Sequence, residues 1–205
     1  ETNVWLAYAV IFAAASVAKF ISILYVLRLH EDQTTQKIPS FESGTLKGFL
    51  VHINETSFGK YVLYMCCMSF AVWIASPFFT PYMLTSQEEG GLGMTYLQFT
   101  IVNTIATFVS FSVFRHWVKL TDRFGNKRVL VFTALFTPFI PLLWLFSKNF
   151  WFIVVIEIFS GIIWAGFNLA TANYVFDFVG DKRRMLYSAY YSSFTASAAF
   201  LGAII

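Results

Sequence analysis

The sequence predicts an all-α, polytopic membrane bundle of about six transmembrane helices, and three observations carry that expectation. The 205 residues are 58% hydrophobic and 20% aromatic but 12% charged, against about 45–50% apolar and about 25% charged in a typical soluble domain. Apolar runs near the length that crosses about 30 Å of hydrocarbon, about 20 residues at about 1.5 Å each, recur six times. No run alternates apolar and polar residues as a barrel strand does. Helices satisfy their own backbone hydrogen bonds, so they are the form that fits a bilayer here.

In chain order the spans are Val4–Leu27, Tyr61–Leu84, Tyr96–Trp117, Val129–Phe146, Phe150–Phe178 and Met185–Ile205. Pro77, Pro81, Pro138 and Pro141 fall inside spans. Neighbouring helices can satisfy the carbonyls that proline leaves without a donor, so kinks are expected there rather than breaks. Cys66 and Cys67 are adjacent within an apolar run and read as packing residues, not a disulfide framework. Residues 28–60 are long and polar and read as a linker between bundles. Within them Leu46, Phe49, Leu50 and Ile53 recur at helical spacing, predicting a short interfacial helix. Residues 85–95 form a second loop with Gly90 and Gly91 at its turn, and Lys148-Asn149 makes the tightest connection. That connection forces the fourth and fifth spans to be antiparallel neighbours. The chain starts at Glu1 and stops at Ile205 inside an apolar run, and reads as an excerpt of a longer protein.

Charge orients the bundle. Twelve of the 14 Lys and Arg lie in residues 28–60, 115–128 and 182–184, on one side of the alternating spans. Lys148 stands alone on the other side, and Lys19 lies within the first span. This asymmetry predicts that the basic loops are cytoplasmic. Asn54-Glu55-Thr56 matches a glycosylation acceptor, but it falls on that same side and is discarded.

The densest charge is the turn KLTDRFGNKRVL, residues 119–130. Gly125 allows a positive φ or the close approach of another helix. Lys127 and Arg128 meet the headgroups at the start of the next span. On charge alone, any short cytoplasmic loop is expected to be basic. The order of residues is more specific. The turn resembles the signature loop of the major facilitator superfamily, G-x-L-a-D-r-x-G-r-K, with Leu120, Asp122, Arg123, Gly125 and Lys127 in register. Val118 replaces the first glycine and Asn126 the second basic residue, as suits the weaker copy between helices eight and nine. The fifth span, with its WAGFNLA core, resembles the tenth helix of bacterial members, and YSAYYSSF resembles the start of the eleventh.

The resemblance implies helices six to eleven of a twelve-helix transporter. Residues 1–27 are then the last helix of the N-terminal bundle, 28–60 the cytoplasmic interdomain linker, and 61–205 a truncated C-terminal bundle. It also implies that Asp122, Arg123, Gly125 and Lys127 act as a conformational latch, with Asp177 as the acidic partner at the end of the fifth span. The alternative role for Asp177 is simply to meet water at the membrane surface.

Polar side chains inside spans mark candidate solute or proton positions. Asn103, Thr107 and Ser110 share one face of the third span. Glu157, Gly161, Trp164, Asn168 and Thr171 share a face of the fifth. A carboxylate in hydrocarbon costs about 2.5 kcal/mol or more and usually faces a cavity or a partner. Glu157 therefore reads either as a proton- or cation-coupling group or as a neutral acid hydrogen-bonded to a neighbouring helix. Tyr187, Tyr191 and Thr195 recur every four residues in the sixth span, with Ser188 and Ser192 beside them. Such a face can bind solute or hold helices together. Trp73 and Trp164 can wall a cavity or serve packing. Lys19, nine residues from Arg28, is too deep to snorkel easily and reads as structural. The fourth span, with Thr133 and Thr137 as its polar side chains, reads as a lipid-facing support.

Together these readings predict a secondary transporter of a small solute, working by alternating access in a bacterial plasma membrane and coupled to a proton or cation. No Walker loop is present, and no cofactor, metal or nucleic-acid site is expected. The rival is a non-transporting sensor or assembly protein that keeps the fold. An enzyme is disfavoured: there is no nucleophile–base pair, and His30, His52 and His116 all lie near the cytoplasmic surface.

Overall fold

A computed structural model describes residues 4–27, 50, 53–178 and 184–204 of the chain. Helices account for the spans: α1 (Val4–Leu27), α2 (Ser57–Leu84), α3 (Tyr96–Phe124), α4 (Asn126–Phe136), α5 (Phe139–Leu143), α6 (Phe150–Phe178) and α7 (Arg184–Ile204). No strand occurs among the described residues. Among the described residues, five segments are long and apolar enough to cross a membrane: α1, α2, α3, the joined α4–α5 segment, and α6. The interfacial helix expected around residues 46–53 lies almost wholly outside the described residues.

Local chemistry sets the boundaries. Thr56 caps α2, its hydroxyl accepting the Gly59 N–H at 3.0 Å, which starts the helix ahead of the expected Tyr61. Thr95 and Gln98 form a reciprocal capping box at the start of α3. This helix continues past the expected Trp117 to Phe124, so the charged turn is largely its last two turns. Gly125 then reverses the chain at φ 85° and ψ 152°. α2 runs unbroken through Pro77 and Pro81. The fourth span does break, at Thr137-Pro138 between α4 and α5. Pro138 cannot donate to the Ala134 carbonyl and Pro141 cannot donate to that of Thr137, which accepts the Ile140 N–H at 3.3 Å. The Thr137 hydroxyl instead donates to the Ala134 carbonyl oxygen at 2.9 Å.

The packing pairs α2 with α7, α3 with α6, and α1 with α2, while α4 lies against α6 as the tight Lys148-Asn149 connection requires. One aromatic core joins Tyr61, Tyr64, Trp117, Leu130 and Tyr174; a second joins Phe12, Tyr82, Trp144, Ile153 and Ile156. In lipid, helices associate through close packing and hydrogen bonds more than through burial of apolar area. The α3–α6 seam shows how. Ser110 Oγ lies 2.9 Å from the Gly161 carbonyl oxygen, and Trp117 Nε1 donates to Ile162 O at 2.8 Å. A Cβ on Gly161 would stand 2.6 Å from the Ala106 carbonyl oxygen, and one on Gly166 would stand 2.6 Å from the Trp117 ring. α4 presents Leu130, Thr133 and Ala134 inward and Phe132 and Leu135 outward. Cys66 and Cys67 are free thiols, half-buried, and Cys66 packs beside Phe58 and Val62.

Candidate functional site

α2, α6 and α7 enclose a cleft of about 350 Å³. Met65, Met68, Ser69 and Trp73 come from α2, where spacings of three and four put them on one face. Trp164, Phe167, Asn168, Thr171 and Val175 come from α6, and Tyr191 from α7. Tyr61 of α2 packs on two of these lining residues. Its ring stacks on Tyr191 at 5.8 Å and an interplanar angle of 8°, and its hydroxyl donates to the Thr171 carbonyl oxygen at 3.0 Å. The three helices are thereby tied together at one level.

Of the six residues expected along a solute or proton path, the fold brings Trp164, Asn168 and Tyr191 to this cleft. The other three lie elsewhere. Tyr187 is buried edge-on against Phe58, ring centroids 5.1 Å apart, and belongs to α2–α7 packing. Asn103 is exposed on α3, its amide donating to the Phe99 carbonyl oxygen at 2.9 Å. Glu157 is half-buried on α6, about 10 Å along the helix from Trp164 by its seven-residue spacing. Its carboxylate has no hydrogen bond or ion pair among the described residues.

Of the α2 wall, sequence reasoning singled out Trp73 and missed Met65, Met68 and Ser69. Met65, Ser69 and Trp73 at successive four-residue steps were its signal, but methionine and serine within an apolar run read equally as packing. Thr171 is buried where it borders the cleft, its hydroxyl beside that of Tyr61. Lys19 is also buried, its Nζ 5.7 Å over the Trp164 ring. This cation–π contact lies beside the cleft without lining it.

At the charged turn, Asp122 is exposed and its carboxylate has no partner among the described residues. The Arg123 guanidinium lies 5.0 Å over the Phe124 ring. Lys127 is half-buried at the start of α4. Asn126 accepts a hydrogen bond from Asn173 of α6 at 3.3 Å. The side chain of Asp177, one helical turn beyond Asn173, lies outside the described residues. No group of three or more His, Cys, Asp or Glu able to hold a metal occurs among the described residues.

Long apolar helices wrapped about a neutral, aromatic-walled cleft define an integral membrane protein whose bundle can house a small molecule. Residues 61–205 match the family model of the Major Facilitator Superfamily, and the chain belongs to that superfamily of membrane transporters. Comparisons with curated proteins and with solved structures return no match.

Proposed function

We propose that the chain supplies the C-terminal half of a secondary transporter for a small solute, preceded by the last helix of the N-terminal half. In this reading α2, α3, α4–α5, α6 and α7 are helices seven to eleven. The observation that carries it is the cleft, in which Trp164, Asn168 and Tyr191 from two separate helices meet the α2 wall. The two halves rock about a site near the mid-plane, exposing it alternately to either side. The Lys and Arg asymmetry supports placing the basic loops in the cytoplasm, and the resemblance of the α6 sequence to bacterial members supports a bacterial plasma membrane. Asp122, Arg123, Gly125, Lys127 and Asp177 form the latch between access states, and Glu157 is the candidate coupling carboxylate, exchanging a proton or cation with the solute cycle.

Reconstitution into proteoliposomes tests this reading. Uptake of labelled solutes driven by an imposed proton or sodium gradient is the expected result. Tight solute binding with no flux in any gradient would support the sensor reading instead. Single cysteines at Asn126 and Glu89 test the orientation, the second reacting with an impermeant reagent added to intact cells and the first remaining protected.

A further inference from the structure

We propose that Arg115, Lys119 and Arg123 form a site for an anionic phospholipid on the lipid-facing side of α3, in the leaflet that borders the charged turn. Such a site lies on the outside of the bundle and does not depend on what the solute cleft does.

α3 is the least buried of the five spans, and it exposes two unlike faces. Thr100, Asn103, Thr104 and Thr107 make up a polar one, suited to water or to another part of the protein. Roughly a quarter-turn away, Leu97, Ile101 and Phe108 make up an apolar one, with 71%, 40% and 71% of their surface exposed. An exposed apolar column on a membrane helix meets acyl chains. This column runs on into cations without changing direction. Leu97, Ile101, Phe108, Arg115 and Lys119 follow at intervals of four, seven, seven and four residues, and each interval returns to the same side of a helix. Arg123 lies one turn past Lys119, and all three cations are exposed. A lipid whose chains lie along Ile101 and Phe108 therefore brings its headgroup to Arg115 and Lys119.

These cations also lack a counter-charge. Residues 115–128 hold five Lys and Arg against one acid, Asp122. Asp122 is exposed and pairs with none of them among the described residues. Arg115 is the most demanding. It still lies in the apolar stretch Tyr96–Trp117, ten residues before Gly125, which is about 15 Å along the helix axis. Helical side chains lean toward the N-terminus, which for α3 is away from the turn. The guanidinium thus needs an anion at headgroup depth, and its paired N–H groups match a phosphate. Lys119, one turn nearer the surface, adds a point charge to the same phosphate. The Arg123 guanidinium, held 5.0 Å over the Phe124 ring, flanks the headgroup. A zwitterionic headgroup would bring its own ammonium into this cluster and an anionic one does not, so the site discriminates by net charge.

Native mass spectrometry of the purified protein in detergent, titrated with dioleoyl phosphatidylglycerol or dioleoyl phosphatidylcholine, tests the site. Phosphatidylglycerol is expected to bind at least fivefold more tightly. The pair Arg115→Gln and Lys119→Gln should weaken it about tenfold or more, at about fivefold for each basic residue lost. The pair Lys60→Gln and Arg128→Gln removes the same charge from the same side of the bundle and should change affinity less than twofold. Thermal midpoints show that each variant is folded; if the first pair fails to fold, Lys119→Gln alone should still lose about fivefold. Equal affinity for the two lipids would overturn the proposal, as would an equal loss in the Lys60 and Arg128 pair, which would mean general attraction to a basic face. Displacement of the lipid by a tenfold excess of glycerol 3-phosphate would overturn it too, since the apolar column would then play no part.

Discussion

Asn173 Nδ2 donates to Asn126 Oδ1 at 3.3 Å, joining the charged turn after α3 to the end of α6 that carries Asp177. Asn126 occupies the place where the family's signature has a basic residue, so a neutral amide pair stands where the signature would put a cation. If this contact and Asp122 together bias the access equilibrium, Asn173→Ala and Asp122→Asn should each slow uptake several-fold. Stability should fall by about 1 kcal/mol or less, the net worth of one part-buried hydrogen bond. Initial rates and thermal midpoints measured on the same preparations check this. Unchanged rates in both variants would reduce the turn to a topological role.

Gly125 makes a separate prediction, because its requirement is conformational and not spatial. A Cβ there would meet nothing within 4 Å, yet the residue holds φ 85° with ψ 152°. That region is essentially closed to residues with a side chain, at about 1–3 kcal/mol each. Gly125→Ala should therefore lower the unfolding free energy by that amount. Gly125→Asn should rescue little, since asparagine tolerates the left-handed helical region but not this one. Full stability of the alanine variant, measured by thermal unfolding in detergent, would mean that the turn adopts another backbone in solution.

The α3–α6 seam predicts an opposite pattern, in which space decides. Gly161→Val would drive its side chain into the Ala106 carbonyl, which belongs to a helix backbone and cannot yield. Overpacking of this kind costs about 1–3 kcal/mol, sometimes more. At Gly166 the obstacles are side chains, the Trp117 ring at 2.6 Å and the Thr133 methyl at 2.9 Å. Gly166→Ala should thus be partly rescued by Trp117→Leu, whereas Gly161→Val has no single-residue rescue. A double-mutant cycle on folding yield and thermal midpoint reads the coupling.

How much of this was legible follows from the kind of signal each feature leaves. α6 begins at Phe150 where the sequence predicts, because Lys148-Asn149 bounds its apolar run sharply. The end of α3 was not legible. Val118–Phe124 is polar enough to resemble a loop, but helix continues until Gly125 supplies a φ that no other residue there could. The break at Thr137-Pro138 was not legible either, since Pro77 and Pro81, almost as close together, leave α2 unbroken. In the site, the α6 face declared itself through Trp164 and Asn168 four residues apart. On α2 Trp73 was legible as a possible cavity wall, whereas Met65, Met68 and Ser69 were not, since their part depends on which helix lies opposite. Conversely, Tyr187 and Tyr191 look equivalent in sequence, and packing against Phe58 separates them.

In the proposed transporter Glu157 is the candidate coupling carboxylate, and its surroundings make that role testable. It is half-buried, two helical turns from Trp164 on the face that also carries Asn168, and its carboxylate makes no hydrogen bond or ion pair among the described residues. A purely structural acid in a span should be held by a partner on a neighbouring helix, since an unsatisfied polar group there is costly. An acid that takes up and releases a proton must instead reach water in at least one state. Glu157→Gln is close in shape to the protonated acid and cannot release its protons. It should bind solute with affinity within about threefold of the parent and exchange internal for external solute normally, while losing accumulation against a gradient by tenfold or more. Counterflow and gradient-driven uptake in the same proteoliposomes make the comparison. Full accumulation by Glu157→Gln would remove this residue from the coupling path.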